Sequence, residues 1–363
     1  MKMPSNAIEL EDVQVKLKKE IIIDRLSLQV KKGQFLALLG PSGVGKTTLL
    51  RTIAGFVEPS EGIVNIFEKN VNGTPPESRH ISMLFQDPVL FKHFTVEKNA
   101  LIGFLKKNYQ ISQKAILNDL ASKFQIEDCL KKKINEGISG GEKQRAALLR
   151  TFAHAQKILL LDEPLKSALN LNLRWQLMKT IKDLGREQNR TTILVTHDFE
   201  EAAYLADEIA IITGKGRKIH KGKADQMYHY PPNLEVAKVL GMGTEINAEF
   251  IYDKNLREEK CPFRFEDQIP KTNNLVKTFF IRPNCVSIDP RASGFIVKDI
   301  IFMGEYSLIE LFADTPDKED PIEVISSVPS ILSNTMEIGE KVGLKISTKD
   351  LIAFDEYRER IEN

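Results

Sequence analysis

The clearest chemical motif in this sequence is a glycine-rich run that ends in lysine and threonine. Residues 40–47 read Gly-Pro-Ser-Gly-Val-Gly-Lys-Thr, which fits the spacing G-x-x-x-x-G-K-[ST]. The apolar run Phe35–Leu39 precedes it, and a helix-like stretch ending at Gly55 follows. Such glycines let backbone N–H groups surround a phosphate, and the helix N-terminus adds the positive end of its dipole. Lys46 is expected to reach the outer phosphates and Thr47 to offer a hydroxyl to Mg²⁺. The predicted nucleotide-binding residues are Gly40, Pro41, Ser42, Gly43, Val44, Gly45, Lys46, Thr47 and Thr48.

Two adjacent carboxylates end another apolar run. Lys157–Leu161 is typical of a buried strand, and Asp162 and Glu163 follow it directly. At the strand tip, Asp162 is expected to hold Mg²⁺ directly or through water. Glu163 points to the opposite face and could polarise an attacking water. An acidic turn is the alternative interpretation, and the phosphate loop upstream favours the hydrolytic one.

A second anion-binding helix start is predicted at Ser139, Gly140 and Gly141. Serine followed by two glycines begins a helix whose first amides are free to bind an anion. Alone, this motif is only a weak signal of a helix N-cap. Its position shortly before Asp162 makes it a specific indication of a second phosphate-binding element.

Together these motifs resemble those of the ATP-binding cassette ATPases, whose signature is L-S-G-G-Q. This chain reads Ile138-Ser139-Gly140-Gly141-Glu142, with Ile for Leu and Glu for Gln. The resemblance covers residues 7–243. It implies an α/β P-loop NTPase with a RecA-like core and a helical subdomain at about 90–150. It also implies ATP and Mg²⁺ as cofactors and ATP hydrolysis as the reaction.

Two further loops resemble family elements. Phe85-Gln86-Asp87 is similar to the glutamine loop, which implies that Gln86 touches Mg²⁺ and the water and reports to the transport subunit. Thr196-His197-Asp198 is similar to the switch-histidine loop, which implies that His197 bonds the γ-phosphate and keeps Glu163 and the water in register. The resemblance thus assigns catalytic roles to Glu163, His197 and Gln86, and metal-binding roles to Thr47, Gln86 and Asp162.

The family fold also implies partners. Two copies pair head to tail, so that Ser139, Gly140 and Gly141 of one chain complete the ATP site of the other. Closure on ATP and reopening after hydrolysis is the implied power stroke. A separate integral-membrane permease is expected to dock beside Gln86 and the lid at 90–135, from the cytoplasmic face of the inner membrane. An extracytoplasmic solute-binding protein acts indirectly, and no nucleic-acid partner is expected.

Among the departures from the family pattern, one residue and one loop bear on nucleotide binding and on coupling. Members usually stack an aromatic residue on adenine where this chain has Leu17, which predicts an apolar contact with weaker affinity or looser base selectivity. The loop after Glu163-Pro164, normally S-A-L-D, reads Lys166-Ser167-Ala168-Leu169-Asn170, with one extra residue and a final Asn. In the family this loop crosses the dimer interface, so coupling between the two sites is expected to differ here. A working ATPase is still predicted, because the lysine, the two carboxylates, the glutamine and the histidine are all present.

Up to about residue 235, apolar runs alternate with helical stretches, which is typical of a largely parallel α/β sheet. The runs are nearly continuous, as in strands covered on both faces. A helical, lysine-rich stretch at 109–134 interrupts their order. The predicted strands are Phe35–Leu39, Ile81–Phe85, Lys157–Leu161, Thr192–Thr196 and Glu208–Ile212.

After Tyr230-Pro231-Pro232 the pattern changes. A helix at Leu234–Leu240 is followed by short alternating segments separated by Gly and Pro, which predicts a small β-barrel or sandwich. Ile281-Arg282-Pro283, Phe302-Met303-Gly304 and Gly339-Glu340-Lys341-Val342 are similar to motifs in the OB-like (TOBE) barrel of importers for polyamines, sulfate, iron(III), molybdate and maltose. That resemblance implies dimer contacts, and it leaves ligand sensing and a plain structural extension both open. The predicted domains are 1–240 (ATPase) and 241–363 (barrel).

The composition argues against several other classes of protein. The 363 residues carry 51 Lys plus Arg and 50 Asp plus Glu, a net charge of +1, so no global field favours nucleic acid or an anionic membrane. The three cysteines (Cys129, Cys261 and Cys285) are too scattered for a zinc cluster and fit a reducing compartment. The apolar runs are far shorter than the ~18 residues of a membrane span. No apolar segment follows Met1–Asn6, so no signal peptide is expected.

The predicted function is the ATP-hydrolysing subunit of an importer, coupling ATP turnover in a dimer to solute uptake through a separate permease. Related ATPases of DNA repair or translation need long coiled-coil insertions or two cassettes, and the sequence has neither. A degenerate cassette that acts as a nucleotide-dependent regulator is the alternative. Leu17 and the altered loop keep it open.

Overall fold

The computed structural model describes residues 5–102, 111–154, 156–167, 170–214, 216–248, 263–265, 275–289, 293–313 and 322–361. Within it the chain divides into two compact units, Met1–Asp225 and Gln226–Asn363. No helix in the described ranges is long and apolar enough to cross a membrane.

The first unit alternates strands and helices. Its elements are β1 (Asn6–Leu17), β2 (Glu20–Lys31), β3 (Phe35–Leu39), α1 (Lys46–Ala54), β4 (Glu61–Ile66), β5 (Lys69–Asn70), β6 (Ile81–Leu84), α2 (Val96–Leu101), α3 (Ile111–Lys123), α4 (Gly140–Ala153), β7 (Ile158–Asp162), α5 (Leu171–Glu187), β8 (Thr191–Val195), α6 (Phe199–Leu205), β9 (Glu208–Thr213) and β10 (Lys218–Gly222). Helix α7 (Ala224–His229) spans the division between the units.

A six-stranded sheet in the order β10-β9-β3-β8-β7-β6 forms the centre of the first unit. Neighbouring strands in this sheet run parallel, except that β10 is antiparallel to β9. Every residue of β3, β7 and β8 is buried, which explains their nearly continuous apolar runs. Since parallel strands end at one edge, the loops after β3, β6, β7 and β8 meet there. The predicted parallel sheet is therefore confirmed, with strand ends shifted by a residue or so.

A second, antiparallel sheet in the order β2-β1-β4-β5 lies outside what the sequence predicted. Strand β1 pairs with both β2 and β4, but its register shifts between Leu10 and Val13 and again near Val15. Asp12 sits at one of these irregularities with φ 47°. Bulges of this kind break the alternation that marks a strand in a sequence. The hairpin was missed for that reason.

Helices α2, α3 and α4 lie in the stretch predicted to be a helical subdomain. The rings of Phe124 and Phe152, both fully buried, pack with centroids 5.3 Å apart where the end of α3 meets α4. The predicted helix at 109–134 corresponds to α3 and a short 3₁₀ turn at Glu127–Cys129. Residues 103–110 lie outside the described residues.

The second unit is mostly β. Its elements are α8 (Leu234–Val239), β11 (Thr244–Asn247), β12 (Phe263–Phe265), β13 (Thr278–Ile281), β14 (Val286–Asp289), β15 (Phe295–Phe302), β16 (Tyr306–Ala313), β17 (Glu323–Pro329), α9 (Ser330–Ser333), β18 (Lys341–Ile346), β19 (Ile352–Phe354) and β20 (Arg360–Ile361). One sheet has the order β11-β13-β19-β20, and another has the order β12-β18-β15-β16-β17 with β14 also pairing β18. Alternating side chains of β16 and β17 enter one apolar core, consistent with the OB-like domain that the sequence predicted.

Candidate active site

The loop between β3 and α1 has the geometry that its glycines predict. Gly43 and Gly45 adopt φ values of 78° and 102°, in the left-handed region that disfavours side chains. A Cβ on Gly43 would meet no atom within 4 Å, so this turn faces open space. Helix α1 begins after Gly45, which has no side chain to cap the first amides. Those amides are therefore available to an anion.

Lys46 lies folded over this loop. Its Nζ donates to the carbonyl oxygens of Gly40 at 2.7 Å and Pro41 at 2.8 Å. Burial lowers the pKa of Lys46, and the nearby carboxylates of Glu163 and Asp162 oppose that shift. The ammonium thus lies between the loop and the two acids.

Thr47 and Asp162 form the second part of the site. The Thr47 hydroxyl donates to Asp162 Oδ1 at 3.1 Å, and only 1% of Asp162 is exposed. Burial raises the pKa of Asp162, and the hydrogen bond from Thr47 counters part of that shift. Within the described ranges, no cluster of three or more His, Cys, Asp or Glu side chains could hold a metal ion by itself. A hydroxyl beside one carboxylate nevertheless fits Mg²⁺, which binds through few protein oxygens and completes its shell with phosphates and water.

Glu163 receives contacts on both carboxylate oxygens. Gln86 Nε2 donates to Oε2 at 3.1 Å, and His197 Nδ1 lies 3.4 Å from Oε1. The backbone of Glu163 has φ 47°, and its N–H donates to the carbonyl of Val195 at 2.9 Å. Left-handed backbone in a non-glycine residue is costly and is concentrated at functional sites. Three loops, after β6, β7 and β8, therefore bring the predicted glutamine, glutamate and histidine together.

Sequence reasoning missed the network that supports the His197 loop. Arg174 on α5 forms an ion pair with Asp198, and the hydroxyl of Thr196 donates to the buried carboxylate of Glu201. Asp198 also caps α6 by accepting from the N–H of Glu201 at 2.9 Å. Burial raises the pKa of Glu201, an effect that the hydroxyl and Arg174 oppose. The spacing Asp-x-x-Glu, typical of a helix N-terminus, could have predicted this cap.

The predicted second anion site begins α4. Ser139 is its N-cap: its Oγ accepts from Glu142 N at 3.2 Å, and Glu142 Oε2 accepts from Ser139 N at 2.7 Å. The buried thiol of Cys129 donates to the other carboxylate oxygen at 3.1 Å. Hydrogen bonds from Ser139, and then from Cys129, lower the pKa of Glu142 to about 2. Gly140 faces open space, so the Ser139 hydroxyl and the first glycine amides form an accessible donor set.

The signature helix α4 is joined to the loop after Glu163. Gln144, 4% exposed, donates from Nε2 to the carbonyl of Pro164 at 3.0 Å. Asn170 caps α5 by accepting from Leu173 N at 3.0 Å. Ala168 and Leu169, within the loop that departs from the family pattern, lie outside the described residues.

Leu17 lies at the end of β1, opposite Glu20 across the turn to β2, and 42% of it is exposed. The same hairpin approaches the phosphate loop further along β2. A Cβ on Gly45 would lie 3.1 Å from Ile23 Cγ1 and 3.2 Å from Ile22 Cγ2. The apolar contact of Leu17 with a base stays a prediction.

Comparisons with known proteins bear on this arrangement. The sequence model of the ABC transporter family matches residues 23–166. The spermidine/putrescine import ATP-binding protein PotA of Clostridium acetobutylicum is 31% identical over 351 residues, which are 95% of each chain. The Fe(3+) ions import ATP-binding protein FbpC of Fusobacterium nucleatum is 40% identical over 234 residues, 64% of this chain and 62% of that protein.

Solved structures agree with these sequence relatives. A dimeric post-hydrolysis ATP-binding cassette bound to ADP and Pi superposes with a TM-score of 0.54 at 28% identity, covering 60% of this chain and 98% of the other. An ATP-binding subunit of an ABC transporter superposes with a TM-score of 0.54 at 23% identity, covering 61% of this chain and 91% of the other, a likeness of fold.

Proposed function

This chain belongs to the ABC transporter family as an ATP-hydrolysing subunit of the import type, and on that premise we propose which residues carry out its work. The observation that carries the proposal is the convergence on Glu163. Its two carboxylate oxygens contact Gln86 and His197 beside the Thr47–Asp162 pair. Residues from three loops, after β6, β7 and β8, thereby meet beside the start of α1.

ATP and Mg²⁺ are the cofactors of this ATPase family. In our proposal the loop amides and Lys46 bind the phosphates, while Thr47, Asp162 and Gln86 hold the metal. Bound Mg²⁺ neutralises charge on the phosphates. The remaining predicted contacts come from Gly40, Pro41, Ser42, Gly43, Val44, Gly45 and Thr48, with Leu17 against the base.

Glu163 is the proposed general base. An ionised carboxylate at this position can orient a water and accept its proton. Gln86 and His197 keep the carboxylate in one place, so that little reorganisation is needed when water attacks. The left-handed backbone of Glu163 fixes the same orientation from the main chain.

A second copy is proposed to complete the site through Ser139, Gly140 and Gly141. Ser139 and Gly140 are exposed at the start of α4, so the serine hydroxyl and the first glycine amides could meet a phosphate oxygen of the partner's nucleotide. The similar cassette bound to ADP and Pi is dimeric, which supports this pairing.

A membrane permease is the proposed partner next to Gln86. Phe56, Val89 and Phe91 are exposed by 53%, 62% and 42%, respectively. Phe56 packs edge-on against Phe85, with ring centroids 5.4 Å apart, next to Gln86 in the chain. Exposed apolar side chains next to a catalytic loop can bind a helix of the permease. Such a contact would couple movements of the permease to the ATPase site. The chain would then act at the cytoplasmic face of the inner membrane, with a solute-binding protein selecting the cargo indirectly.

Phosphate release compared between the wild type and Glu163→Gln tests this proposal. We expect the variant to lose at least about 100-fold in turnover while still binding ATP, because the amide cannot accept the proton. Glu187→Gln, an exposed site at the end of α5, is the matched control and should keep wild-type turnover. Equal phosphate release by the wild type and Glu163→Gln would favour the alternative of a nucleotide-dependent regulator.

A further inference from the structure

The loop after Glu163 is one residue longer than the family pattern, and the extra residue is Lys166. The ammonium of Lys166 contacts Glu163. The Nζ of Lys166 lies 3.6 Å from Glu163 Oε2, the oxygen that also accepts from Gln86. The side chain of Lys166 is 53% exposed, and that of Glu163 is 17% exposed. An additional cation therefore stands at the proposed general base.

The backbone explains why this lysine reaches the carboxylate. Glu163 adopts φ 47°, and the N–H of Lys166 donates to the carbonyl of Glu163 at 3.4 Å. The chain thus turns back within four residues, and the side chain three positions after Glu163 returns toward it. Without the extra residue, Ser167 would occupy this place, and serine has neither the length nor the charge to form the contact.

The other groups near Glu163 either make their hydrogen bonds elsewhere or contact it through an amide or an imidazole. Lys46 donates to the carbonyls of Gly40 and Pro41, and Asp162 accepts from Thr47. Gln86 contributes a neutral amide, and His197 contacts the opposite oxygen. Among the ion pairs of the described residues, Lys166 supplies the ammonium that directly faces Glu163.

A triphosphate arriving at the phosphate loop adds negative charge beside Asp162 and Glu163. Like charges repel, so the nucleotide tends to push the Glu163 carboxylate away from the position where it meets water. An ammonium in contact with Oε2 opposes displacement of the carboxylate from its contacts with Gln86 and His197. Its attraction is modest because the ammonium is half exposed and screened by water.

We propose that Lys166 is a positioning residue that holds the Glu163 carboxylate between Gln86 and His197 during turnover. The inference rests on the proposed role of Glu163 as general base. The lysine acts on kcat through the geometry of the base, and its contribution to nucleotide binding is small.

Steady-state ATPase kinetics of Lys166→Met and Lys166→Arg test this inference in the full chain. An exposed pair of this kind is worth about 0.2–1 kcal/mol, so Lys166→Met should lower kcat about 1.4- to fivefold with KM nearly unchanged. Lys166→Arg keeps the charge and should restore most of kcat. Lys123→Met, which removes a half-exposed lysine paired with Asp119 at 3.0 Å on α3, is the matched control and should behave as wild type.

Three results would overturn the inference. The first is a wild-type kcat in Lys166→Met, and the second is a loss of kcat in Lys166→Arg as large as that in Lys166→Met. The third is an equal weakening of ATP affinity by Lys166→Met in the wild-type and Glu163→Gln backgrounds, which would mean that the lysine acts on nucleotide instead of on the carboxylate. If Glu163→Gln itself retains full turnover, the proposed function fails first; if it loses turnover while Lys166→Met does not, only the present inference fails.

Discussion

Asp162 is a buried acidic residue at the centre of the candidate site. Only 1% of Asp162 is exposed, and its carboxylate accepts a hydrogen bond from Thr47 and is attracted by Arg51 and Lys46. Burial outweighs these favourable interactions, so the charged carboxylate is destabilising in the folded protein.

The free energy of unfolding depends on pH through the pKa of Asp162, which burial raises above its ordinary value. The folded state then binds the proton more tightly than the unfolded state. The cost of the charged form is therefore present at neutral pH and is lost as the pH falls through the folded pKa.

Asp162→Asn should accordingly stabilise the nucleotide-free protein and abolish turnover. We expect a gain of up to about 1 kcal/mol at pH 7, or roughly 2–4 °C in the Tm of a unit this size, because the amide needs no charge solvation. Thermal unfolding at pH 7 and at acidic pH is the measurement, and the gain should shrink toward acid. Asp119→Asn, at an exposed site on α3, is the control; a lower Tm for Asp162→Asn at pH 7 would contradict the account.

Asn170, directly before helix α5, explains why a departure from the family pattern is tolerated. Its side chain caps α5 by accepting from Leu173 N at 3.0 Å. Asn and Asp are almost equally good N-caps. The Asn that ends the altered loop therefore preserves the helix start.

The capping role predicts a contrast between two substitutions. Asn170→Ala should cost about 1 kcal/mol of unfolding free energy, whereas Asn170→Asp should stay within about 0.5 kcal/mol of wild type. Denaturant unfolding of both variants is the check. A similar loss in Thr95→Ala, which removes the N-cap of α2, calibrates the scale. If Asn170→Asp proves as unstable as Asn170→Ala, the cap is not what Asn170 contributes.

Sequence patterns predicted the elements whose signals are local. The buried strands β3, β7 and β8 follow from continuous apolar runs, and the loops after them follow from glycine, carboxylate and histidine motifs. What escaped depends on register and on distant contacts. The hairpin β1–β2 is obscured by its bulges, and the ion pair between Arg174 and Asp198 joins residues whose proximity only the folded sheet creates.

Lys166 illustrates the same limit. The sequence marks it as an extra residue, but its contact with Glu163 depends on the left-handed turn that begins at Glu163. A turn of that type in a non-glycine residue carries no strong sequence signal. Its effect on the base could therefore be inferred only once the backbone was known.

The site of one chain is proposed to be incomplete without a second copy. The phosphate loop and the carboxylates belong to one part of the first unit, and the donor set at Ser139 faces open space at the start of α4. In a twofold-symmetric dimer, the donor set of each chain can face the phosphate loop of the other, which gives two composite sites.

Complementation between two inactive variants tests this central claim directly. Lys46→Ala disables the phosphate loop and leaves the signature intact; Gly141→Asp places a carboxylate among the anion donors and leaves the phosphate loop intact. A Cβ at Gly141 meets its nearest atoms at 3.6 and 3.7 Å, which are ordinary van der Waals contacts, so the backbone there accepts a side chain. In a mixed dimer, one composite site has both defects and the other has none.

The measurement is phosphate release by each variant alone and by an equal mixture. We expect near-background rates for each alone and recovery to about a quarter of wild type in the mixture, since about half of the dimers are mixed and each has one intact site of two. A mixture that remains at the background of its components, while both variants still form dimers, would contradict the composite site.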